Sequence, residues 1–243
     1  MRNLFADEYI ETEEQLEEHF TQWRLAALSR EATCLRELCP EGGRLLDVGT
    51  ASGTFLAQFA GYPHWQVEGV EPSRFAAERA AARHGVPVHA GFLQDQGFPS
   101  DSFDVVTSLD AFCLHSDPVA DLAEISRVLR PRGLLGIEIP GLSLRLLKNS
   151  GLLARLRYGV SARLNAGVHL FYYSRQTLGA LTAAHGFGEV LTRPEQSPVY
   201  GSAGLRLLNR LYFGVTSSLY RMTSGAGWVP IPKEFLVYRR ENA

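Results

Sequence analysis

Long apolar runs are missing from this chain. No stretch approaches the roughly 20 apolar residues that a membrane-spanning helix needs, and the opening segment, Met1 to Phe20, is acidic with no apolar core. The expectation is a cytoplasmic chain with no secretory signal and no transmembrane segment. Cysteine is scarce as well. Cys34, Cys39 and Cys113 form an odd set with neither metal-ligand nor disulfide-framework spacing, so they are expected to be reduced, small, buried residues, and no metal site is expected. Repeats and low-complexity segments are absent. With 243 residues, 45% hydrophobic and 21% charged, the chain can bury a full core and fits one elaborated domain better than two.

Acidic residues are nearly lacking from one long segment. Between Ile139 and Lys233 there are eleven bases and two acids, Glu189 and Glu195, a local net charge of +9, so the rest of a chain of net charge -2 carries -11. Much of that excess lies in Asp7, Glu8, Glu11, Glu13, Glu14, Glu17 and Glu18. Such segregation bears on partners rather than on fold. No nucleic-acid module is visible and the overall charge is slightly negative, so no nucleic-acid partner is expected.

What is present is a regular alternation of short apolar runs and helical patterns. Glu13 to Leu38 spaces Leu16, Phe20, Trp23, Ala27, Leu28 and Leu35 as one or two amphipathic helices would. Arg44 to Gly49 reads as a strand, Thr54 to Ala60 as a helix, and Trp65 to Val70 as a second strand. Pro72 at a helix start leads into the alanine-rich Arg74 to His84. Val86 to Ala90 and Phe103 to Ser108 read as the third and fourth strands. Pro118 opens a helix over Val119 to Leu129, stopped by Pro131 and Gly133, and Gly133 to Ile139 is the fifth strand. Ser174 caps a helix through His185 that Gly186 ends, and Phe187 to Leu191 and Phe235 to Tyr238 are the last strands. Thr192 to Pro232 is too long for an ordinary connection and reads as a lid. The fold predicted is α/β: a doubly wound, seven-stranded, mostly parallel sheet with helices on both faces, N-terminal helices and a C-terminal lid insertion.

The element that carries chemistry is Asp47-Val-Gly-Thr-Ala-Ser-Gly53, placed between a strand and a helix. Small residues are needed where the backbone turns sharply and approaches a ligand with its N–H groups. Glu71 ends the next strand about 20 residues later, where a carboxylate can accept both hydroxyls of a ribose.

These residues resemble the class I S-adenosylmethionine (SAM)-dependent methyltransferases. Leu45 to Gly53 is similar to that family's first motif, Val67 to Pro72 to its second, and Gly91 to Asp104 to the stretch before its fourth strand. Asp117-Pro118 through Gly133 resembles the helix and turn that lead into its fifth strand, and His169 to Phe187 its entry to the last helix and strand. The resemblance runs from Arg44 to about Val190. It implies transfer of a methyl group from SAM, with S-adenosylhomocysteine as product, to a small-molecule acceptor. The cofactor-binding set it implies is Asp47, Gly49, Thr50, Ala51, Gly53, Glu71, Pro72, Phe92, Leu93 and Ser108. Within one domain, 1–243, it divides the chain into an N-terminal helical cap (1–40), a SAM-binding core (41–140) and an acceptor-side cap with the last strands (141–243).

Two departures from the family pattern stand out. Phe92 occupies a position that is often an acid contacting adenine, which leaves adenine to backbone amides and to packing by Phe92 and Leu93, with Asp95 as a substitute partner. Cys113-Leu114 stands where a Glu-His pair is common, and His115 is displaced by one position. A hydroxyl acceptor must lose a proton, and the candidate bases are His115, after the fourth strand, and His169, before Phe171-Tyr172-Tyr173. The competing reading is that each histidine only bonds a local backbone group.

Oxygen is the favoured acceptor atom, with Tyr172, Tyr173, Tyr200, Tyr212 and Trp228 available to line an apolar pocket. Gly141 to Asn165 and Ser202 to Met222 are the expected acceptor-binding parts. In the second of these, Leu205, Leu208, Leu211, Tyr212, Val215 and Leu219 share one helical face, which is expected to pack on the core. An anionic or amphipathic acceptor, received by this basic cap directly or from an anionic membrane surface that the cap contacts peripherally, stays open. Two rival functions also stay open: a membrane-peripheral or partner-binding module with a vestigial cofactor pocket, and a nicotinamide-dependent oxidoreductase. The turn Gly49-x-Ala51-x-Gly53 departs from the glycine pattern of the latter.

Overall fold

A computed structural model describes residues 22–149, 151, 155–156, 169–196, 203–223 and 229–241. Helix α1 (Gln22–Leu38) precedes β1 (Gly43–Val48), β2 (Trp65–Glu71), α2 (Arg74–His84), β3 (Val88–Ala90), β4 (Phe103–Leu109), α3 (Pro118–Val128) and β5 (Leu129–Pro140). After β5 come α4 (Leu142–Asn149), α5 (Arg175–Ala183), β6 (Phe187–Glu195), α6 (Ala203–Met222) and β7 (Lys233–Arg240). The seven strands form one sheet in the order β3-β2-β1-β4-β5-β7-β6. Strands β1 to β5 are parallel, and β7 runs antiparallel to both β5 and β6.

Strands covered on both faces must be apolar at odd and even positions alike. Leu45, Val105, Leu134, Phe235 and Val237 send their side chains to one face, where Leu28, Ala32 and Leu35 of α1 and the aromatics Phe55 and Phe59 meet them. Leu46, Val106, Leu135, Leu236 and Tyr238, one step along each strand, join Leu122, Ile125 and Val128 of α3 and Leu178 of α5 on the other. The two clusters sandwich the sheet.

Local chemistry sets the element ends. Ser73 caps α2 by accepting from Ala76 N, and Gly85 closes it at φ 66°. The cap is therefore Ser73, with Pro72 one residue before it. Asp117 caps α3, whose first residue is Pro118, and Ser174 and Thr177 form a reciprocal capping box on α5. The helix expected over Thr54 to Ala60 is instead a single 3-10 turn, Leu56–Phe59. Gly53 (φ 70°) before it and Gly61 and Pro63 after it leave too little chain for a nucleated α-helix, and the short run tightens. All three cysteines are free: Cys34 and Cys113 are buried and Cys39 partly so.

The face expected to seat the second basic segment on the core is not the buried one. Leu208, Leu211, Val215 and Leu219 of α6 are exposed, whereas Thr216, Ser217 and Tyr220 are buried. The side chain of Leu205 lies outside the described residues, as do Tyr200, Trp228 and most of the segment from Leu152 to Asn165.

Candidate active site

The carboxyl ends of β1, β2 and β4 converge where open α/β sheets hold ligands. Gly49 turns the chain at φ 79°, with its N–H bonded to Val70 O at 2.9 Å. A Cβ at Gly49 would come within 2.5 Å of the Ala111 Cβ, so the turn and the loop after β4 touch through a gap only glycine fits. Gly69 on β2 is equally tight, because a Cβ there would lie 2.7 Å from Thr50 Cγ2. Ala51 follows at φ 48°, a strained value for a residue with a side chain. Its N–H explains the strain: it donates to Glu71 Oε2 at 2.8 Å, while Ser73 N donates to Glu71 Oε1 at 3.0 Å. Gly53 closes the turn by donating to Thr50 O.

Two carboxyls are buried at this crevice. Burial pushes Asp47 up to about 6, only partly offset by the Thr107 hydroxyl that donates to its Oδ1 at 2.7 Å. Burial also raises Glu71, to about 7, against the two backbone N–H groups it holds. Neither has a salt-bridge partner among the described residues. Among the described residues the buried Ser108 hydroxyl has no hydrogen-bond partner, and the buried Thr50 hydroxyl has only the Asp47 carboxyl to interact with. Buried polar atoms without partners are rare, and here they adjoin a close-approach turn, so the residues present fit a polar ligand with hydroxyl donors. Pro72 separates Glu71 from the α2 cap. Phe92 is half-buried and Leu93 buried in the 3-10 turn after β3, and Asp95 ends that turn.

Beyond the turn, the loop after β4 brings the two candidate bases to one region. His115 Nδ1 lies 3.0 Å from Asp121 Oδ2, so the carboxylate orients the ring and leaves Nε2 as the nitrogen not engaged by it. Phe112 packs on His115 and on Tyr173, with ring centroids 5.1 and 5.6 Å away. The segment bearing His169 is held here by Leu170 N and Phe171 N, both donating to Cys113 O. His169 Nδ1 is buried without a partner, and its ring lies 5.6 Å from that of Tyr172. Burial lowers the pKa of His169, as does Arg145, so the ring is neutral with an available nitrogen.

A charged cluster that sequence reasoning missed borders the same edge. Arg24 of α1 and Lys233 of β7 both contact Glu138 at the end of β5 and Asp110 after β4. Burial opposes ionisation of Asp110, yet Lys233 and then Arg24 outweigh it and hold the carboxyl down at about 2. Asp110 adopts φ 61° and keeps 35% of its side chain exposed, so it is the member that faces outward. Glu31, fully buried with neither oxygen hydrogen-bonded among the described residues, is driven well above the carboxylate range by burial and by Glu138. Asp110 could have been found from its place one residue after β4; the other members are scattered from α1 to β7 and carry no local signal.

A methyltransferase-domain family profile matches residues 16–191. This chain belongs to the class I SAM-dependent methyltransferase family. The match spans the Asp47 turn, Glu71 and both histidines, and it favours this family over a nicotinamide-dependent one. Nocamycin O-methyltransferase of Saccharothrix syringae is 35% identical over 163 residues, 60% of this chain and 54% of that protein. O-methyltransferase cnsE of Penicillium expansum is 33% identical over 98 residues, 37% of this chain and 36% of that protein. The chain thus spans between about a third and just over half of these relatives' lengths. Among solved structures, phosphoethanolamine N-methyltransferase 2 of Haemonchus contortus, in complex with SAM, superposes with TM-score 0.60 at 17% identity, covering 96% of this chain and 60% of that one. The [4+2]-cyclase SpnF superposes with TM-score 0.63 at 21% identity, covering 97% and 87%. These likenesses show the Rossmann-like fold, and because the fold also serves a cyclase, the reaction must be argued from the site.

Proposed function

We propose that this chain transfers a methyl group from SAM to an oxygen of a small acceptor. The observation that carries the reading is the Gly49 to Gly53 turn, whose strained Ala51 N–H is tied to a buried Glu71 carboxyl with no cationic partner among the described residues. SAM bound there supplies an electrophilic methyl group on a sulfonium. Asp47, Gly49, Thr50, Ala51 and Gly53 would hold its amino-acid end, Glu71 its ribose, and Phe92 and Leu93 its adenine, with Pro72 and Ser108 bordering the crevice. The cofactor core is then 41–140, and 141–243 supplies the acceptor side.

In-line displacement gains most of its acceleration from alignment and water exclusion. The chain's own contribution at the acceptor is proton management. His115, oriented by Asp121, is the base we assign to a hydroxyl acceptor, and His169, whose Nδ1 has no hydrogen-bond partner among the described residues, is the second candidate. A base is needed for oxygen more than for an amine, and the nocamycin and cnsE relatives are named O-methyltransferases. Phe112, Tyr172 and Tyr173 give the acceptor side apolar walls, and Arg145 lies 5.6 Å from the Tyr172 ring. This combination suits an acceptor that is partly apolar and anionic.

The deciding experiment is a structure with S-adenosylhomocysteine together with calorimetric titration. Occupation of the Gly49 to Gly53 crevice with Glu71 on the ribose is expected. Absence of binding, or a ligand seated elsewhere, refutes the assignment.

A further inference from the structure

Helix α6 is inverted with respect to its own hydrophobicity. Leu207, Leu208, Leu211, Val215, Leu219 and Met222 are 46 to 82% exposed. At 100° per residue they fall within an arc of about 120°, one continuous stripe along the helix. Scattered exposed leucines need no explanation; a stripe of this kind marks an interaction surface.

The helix cannot turn its leucines inward because its other side is bolted down. Tyr220 Oη donates to Glu234 Oε1 at 2.8 Å inside the fold, and Tyr212 Oη donates to Pro230 O. Thr216 and Ser217, buried with Tyr220, satisfy their hydroxyls on Tyr212 O and Gly214 O of the same helix, so their burial leaves no orphaned group.

Charge identifies what covers the stripe. The twenty residues of α6 contain no acid, and Arg210 and Arg221 are exposed and lie side by side on the wheel, just beyond one edge of the stripe. Both acids of the surrounding basic segment are already engaged, Glu189 with Arg175 and Glu195 with Arg30 and Arg193. A second copy laid stripe to stripe would set arginine against arginine with no acid in the helix to answer it. A phospholipid surface of negative charge answers both features, taking the apolar side chains at the acyl boundary and the guanidinium groups at the headgroups.

We infer that α6 seats the protein on an anionic lipid bilayer, lying in the interface and not crossing it. Among the described residues no helix is long and apolar enough to cross. The opposite, buried side of the helix reaches β7 through Tyr220 and Glu234, one residue after Lys233 of the Asp110 cluster. Docking does not require that methyl transfer occurs.

The test is co-sedimentation of the full chain with vesicles of phosphatidylcholine alone and of phosphatidylcholine mixed with phosphatidylglycerol. Binding to the mixed vesicles, lost at high salt, is expected. Leu211→Asp with Val215→Asp should weaken it more than tenfold, and Arg210→Gln or Arg221→Gln about fivefold each. Unchanged thermal melting and S-adenosylhomocysteine affinity in these variants show that the fold persists. Equal sedimentation with both vesicle types, no sedimentation, or full binding by the double aspartate variant overturns the inference. So does light scattering that shows a wild-type dimer which the double variant dissolves without any vesicle binding, because a second copy then covers the stripe.

Discussion

The most informative perturbation is Glu71→Gln, because it moves stability and ligand affinity in opposite directions. Burial raises this carboxyl from its ordinary 4.5 to about 7 in the folded chain. A group whose folded pKa lies above its unfolded one holds its proton longer in the native state. Below pH 4.5 both states are protonated and the group is neutral to stability; from there to about 7 stability falls as pH rises, and above 7 the full cost remains. The 2.5-unit difference corresponds to about 3 kcal/mol. Glutamine carries no charge but turns one acceptor into a donor facing an N–H of Ala51 or Ser73, a loss of about 1 kcal/mol. Glu71→Gln should therefore stabilise the ligand-free protein by about 2 kcal/mol above neutrality and destabilise it by about 1 kcal/mol near the lower bound of the window. Urea unfolding at the two extremes reads this directly.

Ligand binding runs the other way, since two ribose hydroxyls are held best by an ionised carboxylate, in which both oxygens are full acceptors. Wild-type affinity for S-adenosylhomocysteine should drop about tenfold one unit below the Glu71 value, with a proton released per ligand bound. The glutamine variant should bind about ten- to a hundredfold more weakly, and its affinity should lose that pH step. Calorimetry in buffers of different ionisation enthalpy counts the proton. A variant destabilised equally at both extremes, or wild-type affinity with no pH step, refutes the assignment of Glu71 as the ribose acceptor.

Three further outcomes are expected. His115→Ala should slow methyl transfer to a hydroxyl acceptor by about a hundredfold near neutrality, and Asp121→Asn by less; an unchanged pH-rate profile in His115→Ala discards the base. Gly49→Ala meets both the positive φ and the Ala111 Cβ at 2.5 Å, and should cost about 2 kcal/mol in urea unfolding as well as ligand affinity. Lys233→Met leaves Glu138 and Asp110 to Arg24 alone, an expected loss of about 3 kcal/mol that a second change, Asp110→Asn, should partly restore; additive effects would show that the pair is not coupled.

How much of this was legible depended on whether the signal was local. The bounds of α2, Arg74 to His84, follow from alanine propensity, and its end from Gly85, both written in consecutive residues. The Asp47 turn and Glu71 are legible for the same reason, since their spacing along one strand-turn-strand segment is their geometry. Cys113 was read as a buried apolar residue, and burial does push its thiol up to about 12. The Arg24, Asp110, Glu138 and Lys233 cluster was invisible because its members come from four elements and meet only when β7 inserts beside β5. Periodicity put Leu208, Leu211, Val215 and Leu219 on one face of α6 but left out Leu207 and Met222 and could not say which way the face points, because that is decided by Tyr220 finding Glu234.

That difference marks a division of labour in the sheet. Strands β1, β2 and β4, parallel and covered on both faces, leave the cofactor crevice few alternatives: any side chain at Gly49 or Gly69 collides with a neighbouring element. The side we assign to the acceptor lies instead where β5 meets the antiparallel β7, with the loop after β4 and elements inserted outside the parallel core, and long polar side chains hold it. Ion pairs and tyrosine hydroxyls such as Tyr220 and Tyr212 tolerate changes of length and angle that packed leucines do not. On that assignment, acceptor choice can drift on this side while the donor side stays fixed.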